Sequence, residues 1–207
     1  MLDDGALLPD SDRRQAVERA WGHLTGAGPI LTAAQRHEVI SVARVAWGGS
    51  VAPDPASGVP GEAAFWLASD AEGLRRTTID DFENRGLDRF AYLEIVGIVG
   101  LLANIDFYAR GLGTEPPRLP EPDGAPPTGD IHPDAELATL WVPSAGTPYA
   151  PHVLDALPSE GVALRDLHES MYVEMRSVGD STYADVLTKV QIEYVAARTS
   201  YLNECFY

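Results

Sequence analysis

Residues 87–111 read LDRFAYLEIVGIVGLLANIDFYARG, which is the strongest structural signal in the chain. Apolar residues recur on nearly every side of a helix with this sequence, as is typical of a helix covered on most sides by other parts of a protein. Glu94 and Asp106 bracket its most apolar part, which falls well short of the ~20 residues that a membrane span needs. The stretch therefore predicts a buried helix at the centre of a core.

Two amphipathic helices are predicted on its N-terminal side. The first covers about residues 12–24, where apolar residues recur at three- and four-residue spacing. The second begins at Thr32, which stands three residues before Gln35 in the T-x-x-Q pattern of a capping box. Gly, Pro, Ser and Asp are frequent in 48–61, which predicts a loop, and a short helix is expected at about 63–74.

A proline-rich segment separates the two halves of the sequence. Seven prolines, with acids and glycines among them, lie in the segment from Gly113 to Pro133 inclusive. This composition cannot bury enough apolar surface to order itself, and it is typical of a linker. We therefore expect a helical domain at 1–115, a linker at 116–133 and a second helical domain at 134–207.

The second half shows helical patterns but no alternation of polar and apolar residues typical of strands. Short helices are predicted at 135–141 and 151–157, and a longer one at about 160–175. A final helix is expected to begin near Thr188, because Thr188 and Gln191 repeat the capping-box pattern. The predicted fold class is all-α.

Composition excludes several classes of function. The chain has 31 acidic and 15 basic residues, and a formal net charge of −16 repels nucleic acids and anionic membrane surfaces. The N-terminal residues lack the pattern of a secretory signal, so a cytoplasmic location is expected. The five histidines show no zinc-protease pattern, and the single cysteine allows neither an intrachain disulfide nor a thiolate zinc cluster. We expect no metal and no cofactor.

The two capping-box sequences form an internal echo. Residues 31–35 and 187–191 both read L-T-x-x-Q, and the helices they open carry Glu38 and Glu193. This suggests a duplicated helical unit, although chance similarity between two amphipathic helices is the alternative. Aligning the repeats places no thiol in the first copy opposite Cys205.

The last seventeen residues, 191–207, read QIEYVAARTSYLNECFY. They resemble the segment before the redox centre of the alkylhydroperoxidase D-like and carboxymuconolactone decarboxylase family. In that family a glutamate on a helix is followed, twelve residues later, by the first cysteine of a C-x-x-C motif and then by a histidine. Glu193 and Cys205 have this spacing, and segments 19–26 and 151–157 also resemble parts of the family. The resemblance implies a helical bundle of one divergent repeat and the first half of a second, truncated inside the C-x-x-C motif.

Residue roles follow from the same resemblance. Peroxide reduction needs a thiolate that attacks one oxygen and a group that delivers a proton to the other. By position, Cys205 would be the resolving thiol and Glu193 the acid of the proton relay, while Tyr207 stands where some relatives have histidine. The attacking thiol and the relay histidine are missing, so whether the chain is an active enzyme stays open. A straight helix would separate Glu193 from Cys205 by roughly 18 Å, so a chain reversal would be needed, with Asn203 as its turn point.

The expected function is that of a thiol-dependent peroxidase, impaired by truncation, which would use a small-molecule peroxide and a thiol reductant and form a homo-oligomer. One alternative is a non-catalytic helical scaffold, in which Cys205 is a small apolar residue and Glu193 lies on a solvated helix face. Another is a cofactor-free lactone decarboxylase, which would use a histidine or a pair of acids instead of thiols.

Overall fold

The computed structural model describes residues 11–146, 152–173, 177–184 and 187–202. These residues form seven α-helices and one short 3-10 helix at Pro55–Ser57. They contain no strand, only two isolated β-bridges, so the predicted all-α class is confirmed for the part of the chain that is described. The helices are α1 (Ser11–Thr25), α2 (Ala33–Trp47), α3 (Gly58–Ser69), α4 (Arg76–Asn84), α5 (Arg89–Gly111), α6 (Pro158–Met171) and α7 (Lys189–Leu202).

Helix α5 forms the centre of the core, as its sequence predicts. Its first turn is capped by Asp88, whose carboxylate accepts hydrogen bonds from the backbone N–H groups of Phe90 (2.8 Å) and Ala91 (3.3 Å). Helices α1, α2 and α3 pack against it. Of the described helices, α5 alone is long and apolar enough to span a membrane by length and composition, and 67% of that stretch is buried inside the protein.

The chain divides into two compact units, residues 1–167 and residues 168–207. This division differs from the expected one, which placed domains at 1–115 and 134–207 on either side of a linker at 116–133. The reason is that residues after the proline-rich segment belong to the first core. Leu154, Ala156 and Leu157 are buried together with Leu93 of α5.

The proline-rich segment is held to the first unit by hydrogen bonds. The N–H groups of Thr128 and Gly129 donate to the carbonyls of Gly28 and Pro29, each at 2.9 Å. At the other end of the segment, the carbonyl of Pro117 accepts a hydrogen bond of 2.9 Å from the Arg44 side chain. Backbone groups that have no regular ladder of their own are thus satisfied by the turn between α1 and α2 and by α2 itself.

Both predicted capping boxes are present. In the first, the N–H of Thr32 donates to Gln35 Oε1 at 2.9 Å, and the N–H of Gln35 donates to Thr32 Oγ1 at 3.3 Å. In the second, Thr188 and Gln191 make the same pair of bonds at 2.9 and 3.4 Å. The pattern succeeds because a capping box needs only residues three positions apart.

Replacing Thr32 with alanine is expected to lower the free energy of unfolding by about 1 kcal/mol, because the Gln35 N–H at the start of α2 loses its acceptor. Urea unfolding followed by circular dichroism measures the change. Thr77→Ala is the control, since Thr77 is exposed on α4 and should change stability by less than ~0.5 kcal/mol. Equal midpoints for Thr32→Ala and the native chain would contradict the expected contribution of the cap.

Some short elements were predicted wrongly. The segment 135–141 is not a helix, because Glu136 and Ser144 pair as an isolated bridge with N···O distances of 3.0 and 2.9 Å. Residues 152–157 form turns instead of the helix predicted at 151–157. Helix α6, predicted at about 160–175, ends at Met171. Helix α4 was missed, since nine residues carry too short a periodic pattern to be distinguished from a loop.

Candidate functional site

Glu193, the predicted relay acid, lies on α7 in the second unit and is about half exposed. Its Oε1 atom is 2.7 Å from Nζ of Lys189, one helical turn earlier, and accepts a hydrogen bond of 3.1 Å from the Tyr172 hydroxyl. The hydrogen bond to Lys189, and then that from Tyr172, hold the pKa of Glu193 below its usual range. Glu193 is therefore an ionised carboxylate that can accept a proton but has none of its own to give at neutral pH.

The other two predicted site residues, Cys205 and Tyr207, lie outside the described residues. Helix α7 continues without interruption to Leu202. Nine residues of helix place Leu202 about 13 Å along the axis from Glu193. A reversal that returned the chain toward Glu193 would therefore have to follow Leu202.

A second constellation, which was not predicted, lies inside the first unit. Arg36 of α2, Glu94 of α5 and Glu160 of α6 are fully buried, and Nη1 of Arg36 is 2.5 Å from Glu94 Oε1 and 2.7 Å from Glu160 Oε1. The same guanidinium donates to the carbonyls of Leu24 and His23 at the end of α1, both at 3.2 Å. We call Arg36, Glu94 and Glu160 the buried charge cluster, which joins three helices to the end of a fourth.

The turn between α1 and α2 is shaped to fit this cluster. The N–H groups of Ile30 and Leu31 donate to Glu94 Oε2 at 2.7 and 3.0 Å. Gly28 lies so close that a Cβ atom there would overlap Arg36 Nη1 and Glu94 Oε1. Glycine is thus required at position 28 for the backbone to reach the carboxylate.

His23 connects the cluster to a pocket of about 610 Å³. Its Nε2 atom is buried 3.0 Å from Glu160 Oε1, while 22% of its side chain remains exposed. His23 lines the pocket, and its Nε2 edge faces Glu160. The pocket lining is predominantly apolar and includes Ala20, Pro158, Val162 and Ala163.

Two further polar features belong to the pocket. Arg19 binds Asp166 through two hydrogen bonds of 2.9 Å each. Asp130 Oδ2 accepts a hydrogen bond of 2.9 Å from the N–H of Ser159 in the first turn of α6. Arg19 is thus already paired with a carboxylate, and Asp130 caps the start of α6.

Burial and neighbouring charges act differently on the two carboxylates of the cluster. Burial raises the pKa of Glu94 above its usual range, with Arg36 and the Ile30 N–H opposing it only in part. Burial also favours the protonated form of Glu160, but His23 and Arg36 together outweigh it and hold the pKa of Glu160 below its usual range. Glu160 therefore remains ionised more readily than Glu94.

A charge count shows what the arrangement can do. Arg36 carries a single positive charge, and two ionised carboxylates would leave the buried charge cluster with a net negative charge, which is unfavourable away from water. One proton held on Glu94 or on His23 makes the cluster and His23 together neutral. The pocket side of the site is formed by His23, whose Nε2 lies 3.0 Å from Glu160 Oε1.

A metal centre is not indicated. Within the residues described, no three His, Cys, Asp or Glu side chains are grouped so as to bind a metal ion. In the buried charge cluster, the Arg36 guanidinium already pairs with both carboxylates.

Sequence reasoning used Glu94 only as a boundary of the apolar stretch, and it gave no role to Arg36, Glu160 or His23. One signal was present: an acid inside a helix that is apolar on nearly every side must be buried, and a buried acid requires a partner. The sequence did not identify that partner.

No protein-family model matches the chain, and comparisons with curated proteins and with solved structures give no match.

Proposed function

We propose that the chain is a thiol-dependent peroxidase of the alkylhydroperoxidase D-like and carboxymuconolactone decarboxylase type. The twelve-residue spacing from Glu193 to Cys205 carries the proposal. The all-helical fold and the capping box that opens α7 are compatible with it. The proposed reaction is the reduction of an alkyl hydroperoxide or of hydrogen peroxide, with a thiol as the reductant.

The chemistry proposed for this chain uses Cys205 and an external thiol. The Cys205 thiolate attacks one peroxide oxygen, the O–O bond breaks, and the other oxygen leaves as alkoxide or hydroxide and takes a proton. An external thiol then displaces water from the sulfenic acid, and a second one releases Cys205 by disulfide exchange. Glu193, ionised beside Lys189, is the proposed proton acceptor for the Cys205 thiol, and Tyr207 takes the position of the family histidine.

Cys205→Ser is expected to reduce the peroxide-dependent oxidation of dithiothreitol to the uncatalysed background, because serine cannot form a sulfenic acid. Alkyl hydroperoxide consumption by the full chain measures the rate. Glu193→Gln should lower the rate by about 10²-fold if Glu193 transfers the proton. Glu169→Gln, at an exposed position of α6, is the matched control and should leave the rate unchanged.

Equal rates for the native chain and Cys205→Ser would reject the peroxidase proposal in favour of a helical scaffold.

We also propose that the protein is cytoplasmic and forms a homo-oligomer. Exposed apolar residues of α7, among them Val190, Tyr194 and Tyr201, support self-association, since such residues gain from being covered.

A second candidate is a cofactor-free lactone decarboxylase. One observation favours it: His23 and Glu160 form a histidine and carboxylate pair at a pocket. The carboxylate of such a substrate would need a cation, yet Arg19, the one arginine among the residues that line the pocket, is already bound to Asp166. The peroxidase therefore remains the main proposal.

A further inference from the structure

We propose that the pocket beside His23 is a binding site for a small, uncharged and largely apolar organic molecule that carries one hydroxyl or carbonyl group, with that group hydrogen-bonded to His23. The site lies in the first unit and uses none of the residues assigned to peroxide reduction. It is therefore independent of the peroxidase proposal.

The size and lining of the pocket determine the body of the ligand. A volume of about 610 Å³ lies within the range of ~300–1,000 Å³ that is typical of small-molecule sites. Ala20, Pro158, Val162 and Ala163 present apolar surface. Such a lining favours a ligand whose surface is mainly hydrocarbon, because its burial removes apolar area from water.

The charges around the pocket disfavour an anionic ligand. Asp130 and Asp166 outnumber Arg19 among the lining residues, and Asp166 already accepts hydrogen bonds from Nε and Nη2 of Arg19. The net charge of −16 of the whole chain also repels anions. A carboxylate or phosphate would thus meet two carboxylates and an arginine that is already paired, whereas an uncharged molecule meets no such repulsion.

The position of His23 determines the polar end of the ligand. Because Nε2 faces Glu160 Oε1 at 3.0 Å, Nδ1 is the nitrogen left for a ligand. When the ring is neutral with its proton on Nε2, Nδ1 accepts a hydrogen bond from a hydroxyl group. When the ring is an imidazolium, Nδ1–H donates to a carbonyl oxygen. A hydroxyl and a carbonyl group are therefore the two groups that match His23.

The side chain that would bind the polar group of a ligand is held in a fixed position. His23 is held by Glu160, and Glu160 is held by Arg36 at 2.7 Å in a fully buried position. The carbonyl of His23 also accepts a hydrogen bond from Arg36. The ring is thus positioned before a ligand arrives, which lowers the entropic cost of binding.

Cyclohexanol and cyclohexanone are the probes, and cyclohexanecarboxylate is the charged comparison. The full chain, labelled with ¹⁵N-histidine, is titrated with each, and the His23 ring signals are identified by their loss in His23→Gln. We expect saturable shifts of the His23 signals with both neutral probes, with dissociation constants on the order of millimolar for molecules of about seven non-hydrogen atoms. The carboxylate should bind at least about tenfold more weakly.

Val162→Trp should abolish the shifts, because Val162 is 61% exposed and a larger side chain there can fill the pocket without disturbing the core. Val51→Trp, at a 92% exposed position outside the pocket lining, is the matched control and should bind the probes as the native chain does. Shifts that never saturate, shifts that persist in Val162→Trp, or tighter binding of the carboxylate would each overturn the proposal.

Discussion

Replacing Arg36 with methionine is expected to lower the free energy of unfolding by about 3–5 kcal/mol. Methionine replaces the apolar stem of arginine but carries no charge, so Glu94 and Glu160 would remain buried without the guanidinium that lies 2.5 and 2.7 Å from them. The carbonyls of Leu24 and His23 would also lose their donor. A loss of this size is a large fraction of the stability of a typical domain.

Urea unfolding, followed by circular dichroism and by tryptophan fluorescence, measures this effect. Arg85→Met is the matched control, because Arg85 pairs with Glu62 and Asp81 on the surface, where solvent screens the interaction, and only a small change is expected. A native-like midpoint for Arg36→Met would show that the buried charge cluster does not hold the helices together.

Arg36→Met has a rescue that tests the physical cause. Adding Glu94→Gln and Glu160→Gln to the variant removes both negative charges and should recover part of the lost stability, because neutral amides cost less to bury than unpaired carboxylates. If the single variant does not fold, the triple variant still decides the question. A triple variant that is no more stable than Arg36→Met would mean that charge is not the cause.

Gly28→Ala is expected to destabilise the first unit by about 1–3 kcal/mol. The added Cβ would overlap Arg36 Nη1 and Glu94 Oε1, and neither atom can move without breaking an ion pair in a fully buried site. The backbone must therefore shift, which would also lengthen the hydrogen bonds from Ile30 and Leu31 to Glu94. Thermal unfolding compared with the native chain measures the change.

The control for Gly28→Ala is the same substitution at Gly100. Gly100 is exposed on α5, and a Cβ added there meets no atom within 4 Å. Alanine in the middle of a helix should therefore stabilise the protein by roughly 0.5–1 kcal/mol. Opposite signs at the two positions are the expected result, and equal signs would show that the close approach at Gly28 has no energetic consequence.

Arg36→Met and Gly28→Ala affect the same contact, because a Cβ added at position 28 would overlap Arg36 Nη1. The losses of stability from the two substitutions should therefore not add. Once Arg36 is methionine, one of the two atoms that crowd position 28 is gone. The double variant of Arg36→Met and Gly28→Ala should then be more stable than the sum of the single effects implies. Additive losses would indicate that Gly28 acts through the turn alone.

Local patterns in the sequence were sufficient for the main helices. The helical periodicity of 87–111 predicted α5, and the T-x-x-Q sequences at Thr32 and Thr188 predicted the starts of α2 and α7. These features depend on residues within one or two helical turns of each other. The buried position of α5 also followed from the sequence, because a helix that is apolar on nearly every side has no other stable surroundings in water.

The proline-rich segment shows what local reasoning leaves out. Its composition predicts a linker, yet Thr128 and Gly129 bind the turn at Gly28 and Pro29, roughly a hundred residues earlier in the chain. Composition describes what a segment can do alone. Partners supplied by distant residues are invisible to it.

The sequence by itself determined the all-helical class, the central helix and the two capped helix starts, since each arises from neighbouring residues and the periodicity of one helix. Only the tertiary structure brought Arg36 to Glu94 and Glu160, which are 58 and 124 residues away along the chain. In the sequence Arg36 and Glu160 look like ordinary charges on amphipathic helices, and Glu94 indicates a buried acid without naming its partner. Whether such a charge meets water or a partner depends on which faces pack together, and that choice is made by the whole core at once.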